Sequence, residues 1–164
     1  MKIEGGTCPT PLGDFSFVEV DGAVSAAGFG PLEEIRRMLP EQIRGARVEP
    51  SASDVAARIE KYFDGDVRTL DDIEVRQEGS DFRKKVWDGL RSLPAGSPVS
   101  YGEMAELVGH PRAARAVGTA CATNAVALIV PCHRVTRGGG VSGRYGYGSD
   151  LKTWLLAHER THGE

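Results

Sequence analysis

A chain of 164 residues has room for one medium-sized domain or two small ones. Its 40% hydrophobic and 26% charged residues suit a core-forming protein and exclude wholesale disorder. The formal net charge of −3, taken over the whole chain, argues against a nucleic-acid-binding protein. The charge is unevenly divided, however. Residues 1–79 carry 9 Lys and Arg against 16 Asp and Glu, a sum of −7, and residues 80–164 carry 11 against 7, a sum of +4.

The sequence contains no run approaching the roughly 20 apolar residues that a membrane helix needs. Its N-terminal stretch has the pattern of neither a signal peptide nor a transit peptide. The three cysteines, Cys8, Cys121 and Cys132, are odd in number and widely spaced, so they predict neither a disulfide framework nor a paired-cysteine metal site. We expect no membrane partner and a location in the reducing cytoplasm, where a thiol stays available for chemistry.

The first half of the chain is patterned as mixed α/β. The predicted elements are strands at residues 15–20 and 23–27, joined by an Asp21-Gly22 turn, and helices at residues 32–39 and about 53–63. Pro40 ends the first of these helices. No catalytic side chains cluster in this half, so residues 1–76 are interpreted as a support domain.

The polar stretch from Val75 to Ser80 is the candidate linker and contains the boundary to a second domain, residues 77–164, in which the patterning becomes helical. Four helices are predicted. The first carries an apolar stripe of Phe82, Val86, Trp87 and Leu90, and the second begins at a Ser100–Glu103 capping box and is ended by Gly109. The third runs from Pro111 to about Thr123, and the fourth has Leu151, Trp154, Leu155 and His158 on its core face. The second and third of these are separated by a three-residue turn, which is the pattern of a helix-turn-helix.

The helix predicted after Pro111 carries mostly small side chains, at Ala113, Ala114, Ala116, Gly118, Ala120 and Ala122. Two interpretations fit: tight packing against a neighbouring helix, or close approach to a ligand such as a DNA groove. A glycine within a helix costs about 1 kcal/mol against alanine, so Gly118 indicates a steric reason. The interval between Glu106 and Asp150 has no acidic residue and holds Arg112, Arg115, Arg134, Arg137 and Arg144. A basic surface that coincides with a helix-turn-helix pattern favours contact with phosphates.

The apolar run at residues 127–130 predicts a short buried strand, and Pro131, which cannot donate to a sheet ladder, places Cys132 at its end. A cysteine after an apolar run is often an inert core residue. Here His133 is adjacent, and Arg134 and Arg137 add positive charge that would stabilise a thiolate. We therefore interpret Cys132 as a reactive thiol.

The segment 131–135, Pro-Cys-His-Arg-Val, resembles the active-site signature of the O6-alkylguanine-DNA alkyltransferases, a family of direct-reversal DNA repair proteins. The rest of the family pattern occurs in the same order and spacing, at residues 101–105, 115–118, 124 and 154–159. The resemblance covers roughly Phe82 to Glu159. It implies an α/β (α+β) fold in which a small N-terminal mixed α/β domain precedes a mostly helical C-terminal domain. That second domain contains the helix-turn-helix and the active-site cysteine.

The resemblance implies single-use transfer of an alkyl group, mainly methyl, from guanine O6 to the sulfur of Cys132, without a metal or other cofactor. Displacement at carbon needs a thiolate, a base and a proton for the departing guanine. By resemblance, His133 is the base and acts through a bound water, and Glu159 orients its imidazole. Tyr101 donates its phenolic proton toward guanine N3. The implied base pocket includes Val135, Tyr145 and Gly146.

The implied partner is double-stranded DNA containing O6-alkylguanine, which a monomer contacts in the minor groove, at the nucleoid if the source is prokaryotic. The damaged base lies inside the duplex, so it must be flipped out. The resemblance makes Arg115 the finger that fills the vacated space. It also makes Asn124 a structural hinge after the recognition helix, for which an ordinary helix stop is the alternative. The other implied DNA contacts are Arg112, Ala114, Ala116 and Gly118.

Several features depart from the family pattern or allow another interpretation. Tyr147 replaces a glycine of the family's Tyr-x-Gly-Gly loop; the spacing to Trp154 favours Tyr145 as the matching tyrosine, whereas a shift of two residues would select Tyr147. Cys121 is interpreted as a packing residue. Some relatives hold zinc in the N-terminal domain, but Cys8 has no second cysteine or histidine in this half, so no metal is predicted. Rival functions are a non-catalytic sensor of alkylation damage, a class that lacks the cysteine, and a Cys-His-Glu hydrolase.

Overall fold

The computed structural model describes residues 1–138 and 143–163, and the chain folds as two compact units. The first comprises Met1–Glu78 together with Ala125–Ile129, and the second comprises Gly79–Asn124 and the chain from Val130 onward. No sequence pattern indicated that Ala125–Ile129 folds with the first unit.

A four-stranded sheet in the order β3-β2-β1-β4 forms the first unit. Its strands are β1 (Ile3–Thr10), β2 (Gly13–Val20), β3 (Ala23–Phe29) and β4 (Glu49–Pro50). Strands β1, β2 and β3 pair antiparallel, and β4 pairs parallel to β1. The predicted hairpin is confirmed, and both turn residues, Asp21 and Gly22, have positive φ values of 49° and 86°, as a tight hairpin with the right-handed strand twist requires.

Strand β1 has no clear sequence signal because it contains two glycines and a proline. A Cβ atom at Gly5 would lie 2.6 Å from the carbonyl oxygen of Phe17, so the close approach of β1 to β2 requires glycine there. The core that β1 helps to form is apolar, with Ile3, Val18, Val20, Ala26, Ile35 and Leu39 buried together.

Two helices accompany this sheet: α1 (Leu32–Ile35), continued by a 3₁₀ turn at Arg36–Met38, and α2 (Val55–Phe63). The prediction of one α-helix over residues 32–39 is therefore wrong in its second half. Leu39 is extended, with ψ of 156°, because the ring of the following Pro40 excludes the helical conformation at the preceding residue. The last turn tightens to a 3₁₀ geometry, and the Leu39 amide donates to the Arg36 carbonyl at 3.1 Å.

The strand predicted at residues 127–130 is wrong. Val126 makes one isolated bridge to Ala27, and Leu128 has a φ of 70°, outside any strand conformation. The Ile129 amide donates to the Ala127 carbonyl at 2.8 Å, which closes a tight turn. The side chains in this segment are apolar because they are buried, and burial alone does not distinguish a turn from a strand.

The second unit is mostly helical. Its elements are α3 (Asp81–Ser92), β5 (Val99–Ser100), α4 (Tyr101–Leu107), α5 (Ala114–Ala122), a 3₁₀ turn at Cys132–Arg134, β6 (Val135–Thr136) and α6 (Ser149–His162). The capping box is present: Ser100 Oγ accepts from the Glu103 amide at 3.0 Å, and Glu103 Oε1 accepts from the Ser100 amide at 2.9 Å. The Trp87 indole donates to the Ala120 carbonyl at 2.9 Å and ties α5 to α3. The mixed α/β fold class is confirmed.

The connection between α4 and α5 is longer than predicted, because residues 108–113 lie outside both helices. Pro111 lies in this connection and is not the first helical residue. Gly109, with φ of 82°, ends α4. The His110 amide donates to the Ala105 carbonyl, and the Ala113 amide donates to the His110 carbonyl, both at 2.9 Å. These bonds build a separate turn before α5 begins.

Helix α6 presents a different face to the core than predicted. Its buried residues are Lys152, Leu155 and Glu159, whereas Trp154 is only half-buried and stacks on His158 with ring centroids 4.9 Å apart. Of the predicted face, Leu155 is buried, and the charged side chains of Lys152 and Glu159 are buried beside it in place of Trp154 and His158. No helix in the described part of the chain is long and apolar enough to cross a membrane.

Candidate active site and DNA-binding face

Cys132 begins the 3₁₀ turn, and its amide donates to the Val130 carbonyl at 2.8 Å. It therefore follows a turn and not the predicted strand end. The side chain is buried, with 9% of the residue exposed. Burial raises the pKa of the Cys132 thiol, while a hydrogen bond to Asn124 and the charge of Lys152 lower it. The sulfur is shielded from bulk water, and two polar groups favour its anion.

The next two residues of the turn converge on Glu159 of α6. His133 Nε2 lies 2.8 Å from Glu159 Oε2. The Arg134 guanidinium donates through Nε to Oε1 at 2.9 Å and through a terminal nitrogen to Oε2 at 3.0 Å. It also donates to the Leu93 carbonyl at 2.8 Å. His133 and Glu159 are fully buried, so these contacts are protected from solvent.

The carboxyl group of Glu159 is an anion in this setting. Burial raises the pKa of this carboxyl group, but the adjacent His133 and Arg134 lower it by more, so that the pKa lies well below the usual range. An ionised carboxylate accepts, so His133 Nε2 carries the proton in their hydrogen bond. The expectation that Arg134 stabilises the Cys132 thiolate is wrong, because its guanidinium is taken up by Glu159 and Leu93.

The other imidazole nitrogen of His133 faces a different environment. His133 Nδ1 is buried and has no hydrogen-bond partner among the described residues. With the proton on Nε2, Nδ1 has a free lone pair and can accept a proton. Tyr145 packs edge-on against His133 with ring centroids 6.4 Å apart, and Tyr147 packs against Tyr145 at 5.7 Å. The tyrosine next to the imidazole is thus Tyr145, the one that the sequence spacing favoured.

Lys152 is a residue of the site that sequence reasoning missed. Its side chain is fully buried, and Nζ donates to the Val135 carbonyl at 2.6 Å and to the Arg144 carbonyl at 3.1 Å. Its positive charge lowers the pKa of Cys132. A signal was available, because Lys152 stands three residues before Leu155 and seven before Glu159, on one face of the helix.

Asn124 connects the end of α5 to the segment before the cysteine. Its side-chain amide donates to the Val130 carbonyl at 2.9 Å, and its side chain is also hydrogen-bonded to Cys132. Its main-chain amide donates to the Cys121 carbonyl at 3.3 Å. These contacts are more than an ordinary helix stop makes.

The remaining candidates for base contact lie in different settings. Tyr101 is the first residue of α4, and burial together with the nearby Cys121 and Cys132 raises the pKa of its phenol, which therefore keeps its proton. Val135 is buried in β6, which pairs parallel with β5, and its carbonyl already accepts from Lys152. Gly146 is exposed. Residues 139–142, which precede this part of the chain, lie outside the described residues.

The exposed face of α5 carries small side chains, and arginines lie in its first turn and just before it. Arg112, Arg115 and Ala116 are exposed, and Ala114 and Gly118 are partly exposed. A Cβ atom at Gly118 would meet Tyr101 Cε1 at 3.9 Å, an ordinary contact, so packing within the chain does not require glycine. Tight packing against a neighbouring helix therefore does not explain this face. Only Val117 and Ala120 of the helix are buried.

The letters of residues 158–162, His-Glu-Arg-Thr-His, match the helical zinc-protease pattern of two histidines flanking a glutamate. In this structure Glu159 does not take the part of the protease glutamate, since both of its carboxylate oxygens are bound by His133 and Arg134. Within residues 1–138 and 143–163, no group of three or more His, Cys, Asp or Glu side chains is placed to hold a metal ion.

Comparison with known proteins identifies the family. The sequence-family model described as the DNA-binding domain of 6-O-methylguanine DNA methyltransferase matches residues 81–161. A methylated-DNA–protein-cysteine methyltransferase of Mycolicibacterium paratuberculosis is 40% identical over 146 residues, which cover 86% of this chain and 88% of that protein. The chain belongs to the methylated-DNA–protein-cysteine methyltransferase family. The resemblance to this family that the sequence motifs indicated is thereby confirmed.

Solved structures of this family share the fold. The O6-methylguanine methyltransferase of Mycobacterium tuberculosis superposes with a TM-score of 0.80 at 31% identity, over 98% of this chain and 94% of that one. The same organism's OGT in complex with DNA gives a TM-score of 0.80 at 30% identity, over 97% and 94%. Similarity to the Shigella flexneri family member, 40% over 102 residues, is confined to 62% of this chain and 60% of that protein.

Proposed function

We propose that this protein repairs O6-alkylguanine, chiefly O6-methylguanine, in double-stranded DNA by irreversible transfer of the alkyl group to Cys132, once per molecule. The observation that carries the proposal is the buried array of Cys132, His133, Glu159 and Arg134. It supplies a shielded thiol beside an imidazole with a free nitrogen. The names of the relatives support the same activity.

The first step generates the nucleophile. A bound water carries the Cys132 thiol proton to His133 Nδ1, which has no protein partner among the described residues. The imidazolium that forms is stabilised by the Glu159 carboxylate on Nε2, and Arg134 keeps that carboxylate ionised and oriented. The charge of Lys152 stabilises the thiolate.

The second step is a displacement at carbon. The sulfur of Cys132 forms a bond to the alkyl carbon, and the bond from that carbon to guanine O6 breaks, leaving its electron pair on the base. Tyr101 donates its phenolic proton toward guanine N3 and so neutralises the departing base. Its raised pKa is consistent with this role, because the phenol is protonated at neutral pH. Val135, Tyr145 and Gly146 border the base pocket.

Delivery of the base requires it to leave the duplex, because a sulfur in a residue that is 9% exposed cannot be reached by a stacked base. Arg115, exposed at the start of α5, fills the space that the base vacates. The small residues Ala114, Ala116 and Gly118 let the helix backbone approach the minor groove, and Arg112 contacts phosphate. Asn124 is the hinge that couples this helix to Cys132.

The compartment and assembly follow from the chemistry. A thiol that must stay reduced until it meets damage is suited to the reducing cytoplasm, in association with the DNA. One chain carries both the DNA-binding face and the reactive array, so a monomer is sufficient. No step of the reaction uses a metal or another cofactor.

The decisive experiment is mass spectrometry after incubation with duplex DNA containing O6-methylguanine. We expect the peptide that contains Cys132 to gain the mass of one CH2 group, once per molecule. The Cys132→Ala variant keeps DNA binding and gains no mass. Bound DNA with an unmodified wild-type protein would support the sensor, and repeated cleavage of esters or amides without an adduct would support the hydrolase.

A second test concerns Arg115. Replacement Arg115→Ala removes the side chain that fills the stack, so the cost of base flipping, a few kcal/mol, is no longer offset. We expect transfer from duplex DNA to slow about tenfold or more, while transfer from the free base O6-methylguanine is unchanged. The control is Arg47→Ala, an exposed arginine of the first unit. Undiminished transfer from duplex DNA would refute the finger assignment.

A further inference from the structure

We propose that Cys121 and Cys132 form an intramolecular disulfide when the protein meets hydrogen peroxide, and that this bond protects the nucleophile reversibly. The inference rests on the proposed function in one respect: the thiolate that accepts the alkyl group is also the one that reacts with peroxide. Both cysteines are free thiols in the structure.

The placement of Cys121 follows from the face of α5 on which it lies. Gly118, three residues earlier, faces the Tyr101 ring, since its Cβ position lies 3.9 Å from Cε1. Asn124, three residues later, is hydrogen-bonded to Cys132 and to the Val130 carbonyl. Residues three apart are neighbours on one side of a helix, so Cys121 lies on the side of α5 that faces the Tyr101 ring, and the chain that follows the helix brings Asn124 to Cys132.

Hydrogen bonds link the two cysteines through one residue. The Asn124 amide donates to the Cys121 carbonyl at 3.3 Å, and the Asn124 side chain is bonded to Cys132. The Cys132 amide in turn shares the Val130 carbonyl with the Asn124 side chain. Asn124 thus holds the end of α5 against the segment that carries the nucleophile.

The two sulfurs also share Lys152 as a charged neighbour. The pKa of Cys121 is raised to about 12, because burial and the nearby Cys132 raise it by more than Lys152 lowers it. Burial lowers the pKa of Lys152, and both cysteines raise it. For Tyr101, burial raises the pKa of the phenol, and both cysteines raise it further. Cys121 is therefore a protonated thiol in the same cluster as Cys132.

The chemistry balances in two steps. The Cys132 thiolate attacks one oxygen of hydrogen peroxide, forming an S–O bond, breaking the O–O bond and releasing hydroxide; the sulfur is oxidised by two electrons to a sulfenic acid. The Cys121 sulfur then attacks the Cys132 sulfur. The S–S bond forms, the S–O bond breaks, and hydroxide leaves with the thiol proton of Cys121 as water.

The consequence is specific to a single-use nucleophile. Without a second thiol, a sulfenic acid proceeds to sulfinic and sulfonic acids, which thiol reductants do not reverse. With Cys121 present, oxidation stops at a disulfide that a reductant reopens. Cys8 provides a contrast, since it lies in β1 of the first unit, and it serves as the control cysteine.

The experiment treats the full chain with hydrogen peroxide in the presence and absence of DNA, followed by digestion without reductant and peptide mass mapping. We expect a linked pair of peptides containing Cys121 and Cys132, two hydrogens lighter than the sum of the separate peptides. We expect methyl transfer to be lost and then restored by dithiothreitol. In Cys121→Ser, Cys132 is recovered as sulfinic acid, and dithiothreitol restores little of that variant's own untreated transfer. Cys8→Ser behaves like the wild type.

Two results would overturn the proposal: absence of the linked peptides in the oxidised wild type, or equal recovery by dithiothreitol in the wild type and Cys121→Ser. Cys121→Ala is measured in parallel, and circular dichroism establishes that each variant is folded. The mass of the linked peptides does not depend on alkyl transfer. A disulfide in a protein that accepts no methyl group would therefore contradict the proposed function and leave this inference standing.

Discussion

Lys152 and Glu159 are charged residues on the buried face of α6, and both act on the site through charge. Lys152 contacts the carbonyl groups of Val135 and Arg144 and stabilises an anion at Cys132. Glu159 binds His133 and Arg134. Buried charges are costly unless they are paired, so their presence on one helix face indicates a functional demand that an apolar core would not meet.

Replacement of Lys152 by methionine tests its effect on the thiol. Lys152→Met removes the charge, so the pKa of Cys132 rises. If the rise is about one unit, methyl transfer at neutral pH slows about tenfold. The loss shrinks as the pH is raised. The measurement is the single-turnover rate against pH, with the exposed Lys85→Met as the control. A pH profile identical to that of the wild type would show that Lys152 is only structural.

The pH dependence of stability tests Glu159. Its pKa in the folded protein lies below the value of about 4.3 expected in the unfolded chain. It therefore stabilises the fold above that pH, and this contribution is lost as the pH falls through the folded-state pKa. We expect Glu159→Gln to lower the free energy of unfolding by about 3–5 kcal/mol at neutral pH, because Arg134 is left without its carboxylate.

The difference between the two proteins narrows below about pH 4, where Glu159 begins to protonate in the unfolded chain. Urea unfolding at a series of pH values measures this difference in the free energy of unfolding. The control is Glu106→Gln, an exposed carboxylate on α4, for which we expect a change within about 0.5 kcal/mol. A constant difference between wild type and Glu159→Gln at all pH values would contradict the assigned ionisation.

Among the elements, α5 has one buried side and one side that carries small, exposed residues. Val117 and Ala120 face the core, and the Trp87 indole binds the Ala120 carbonyl. The opposite side holds small residues: Ala116 is exposed, and a Cβ atom at Gly118 would make only an ordinary contact with Tyr101, at 3.9 Å. We therefore propose that the small side chains on this side serve contact with a partner outside the chain.

Ala116→Leu tests this proposed contact. The position is exposed and helical, and leucine is a good helix former, so we expect the free energy of unfolding to change by no more than about 0.5 kcal/mol. Affinity for duplex DNA falls, because the larger side chain holds the backbone away from the groove. Fluorescence anisotropy with labelled DNA measures the loss. The matched control is Ala57→Leu, an exposed alanine of α2. Equal DNA affinity in the two variants would rule out α5 as the contact helix.

Local signals predicted the elements where the chemistry of a few adjacent residues decides the conformation. The Ser100 cap, the Asp21-Gly22 turn and the apolar stripe of α3 are cases of this kind. Prediction failed where distant packing decides. Strand β1 is held by its pairing with β2 despite its glycines, and the apolar segment before Pro131 is buried as a turn.

At the scale of the whole molecule, the net charge of −3 is the sum of an acidic half and a basic half. The basic interval holds five arginines, but Arg134 is buried and neutralised by Glu159. The remaining four, Arg112, Arg115, Arg137 and Arg144, are exposed. The exposed positive charge of this interval is therefore smaller than the sequence count and is carried by these four side chains.

Salt dependence of DNA binding tests this distribution. Each phosphate contact contributes about 0.9 to the slope of log affinity against log salt concentration. We expect Arg112→Ala to reduce the slope by about one and to weaken binding uniformly across sequences. Arg47→Ala, in the acidic half, leaves the slope unchanged. The slopes are obtained from DNA affinities measured by fluorescence anisotropy over a series of salt concentrations. An unchanged slope for Arg112→Ala would exclude it as a phosphate contact.

The sequence by itself determined the family, and it predicted the reactive cysteine and the DNA-binding helix, because these depend on contiguous motifs whose order and spacing are visible in the chain. Only the tertiary structure decided which groups act on that cysteine. His133 and Glu159 are 26 residues apart, and Arg134, expected to face the thiol, binds Glu159, while Lys152 takes the role of the nearby charge. The physical reason is that a buried charge is placed by the partners that packing brings to it, and those partners come from distant parts of the chain.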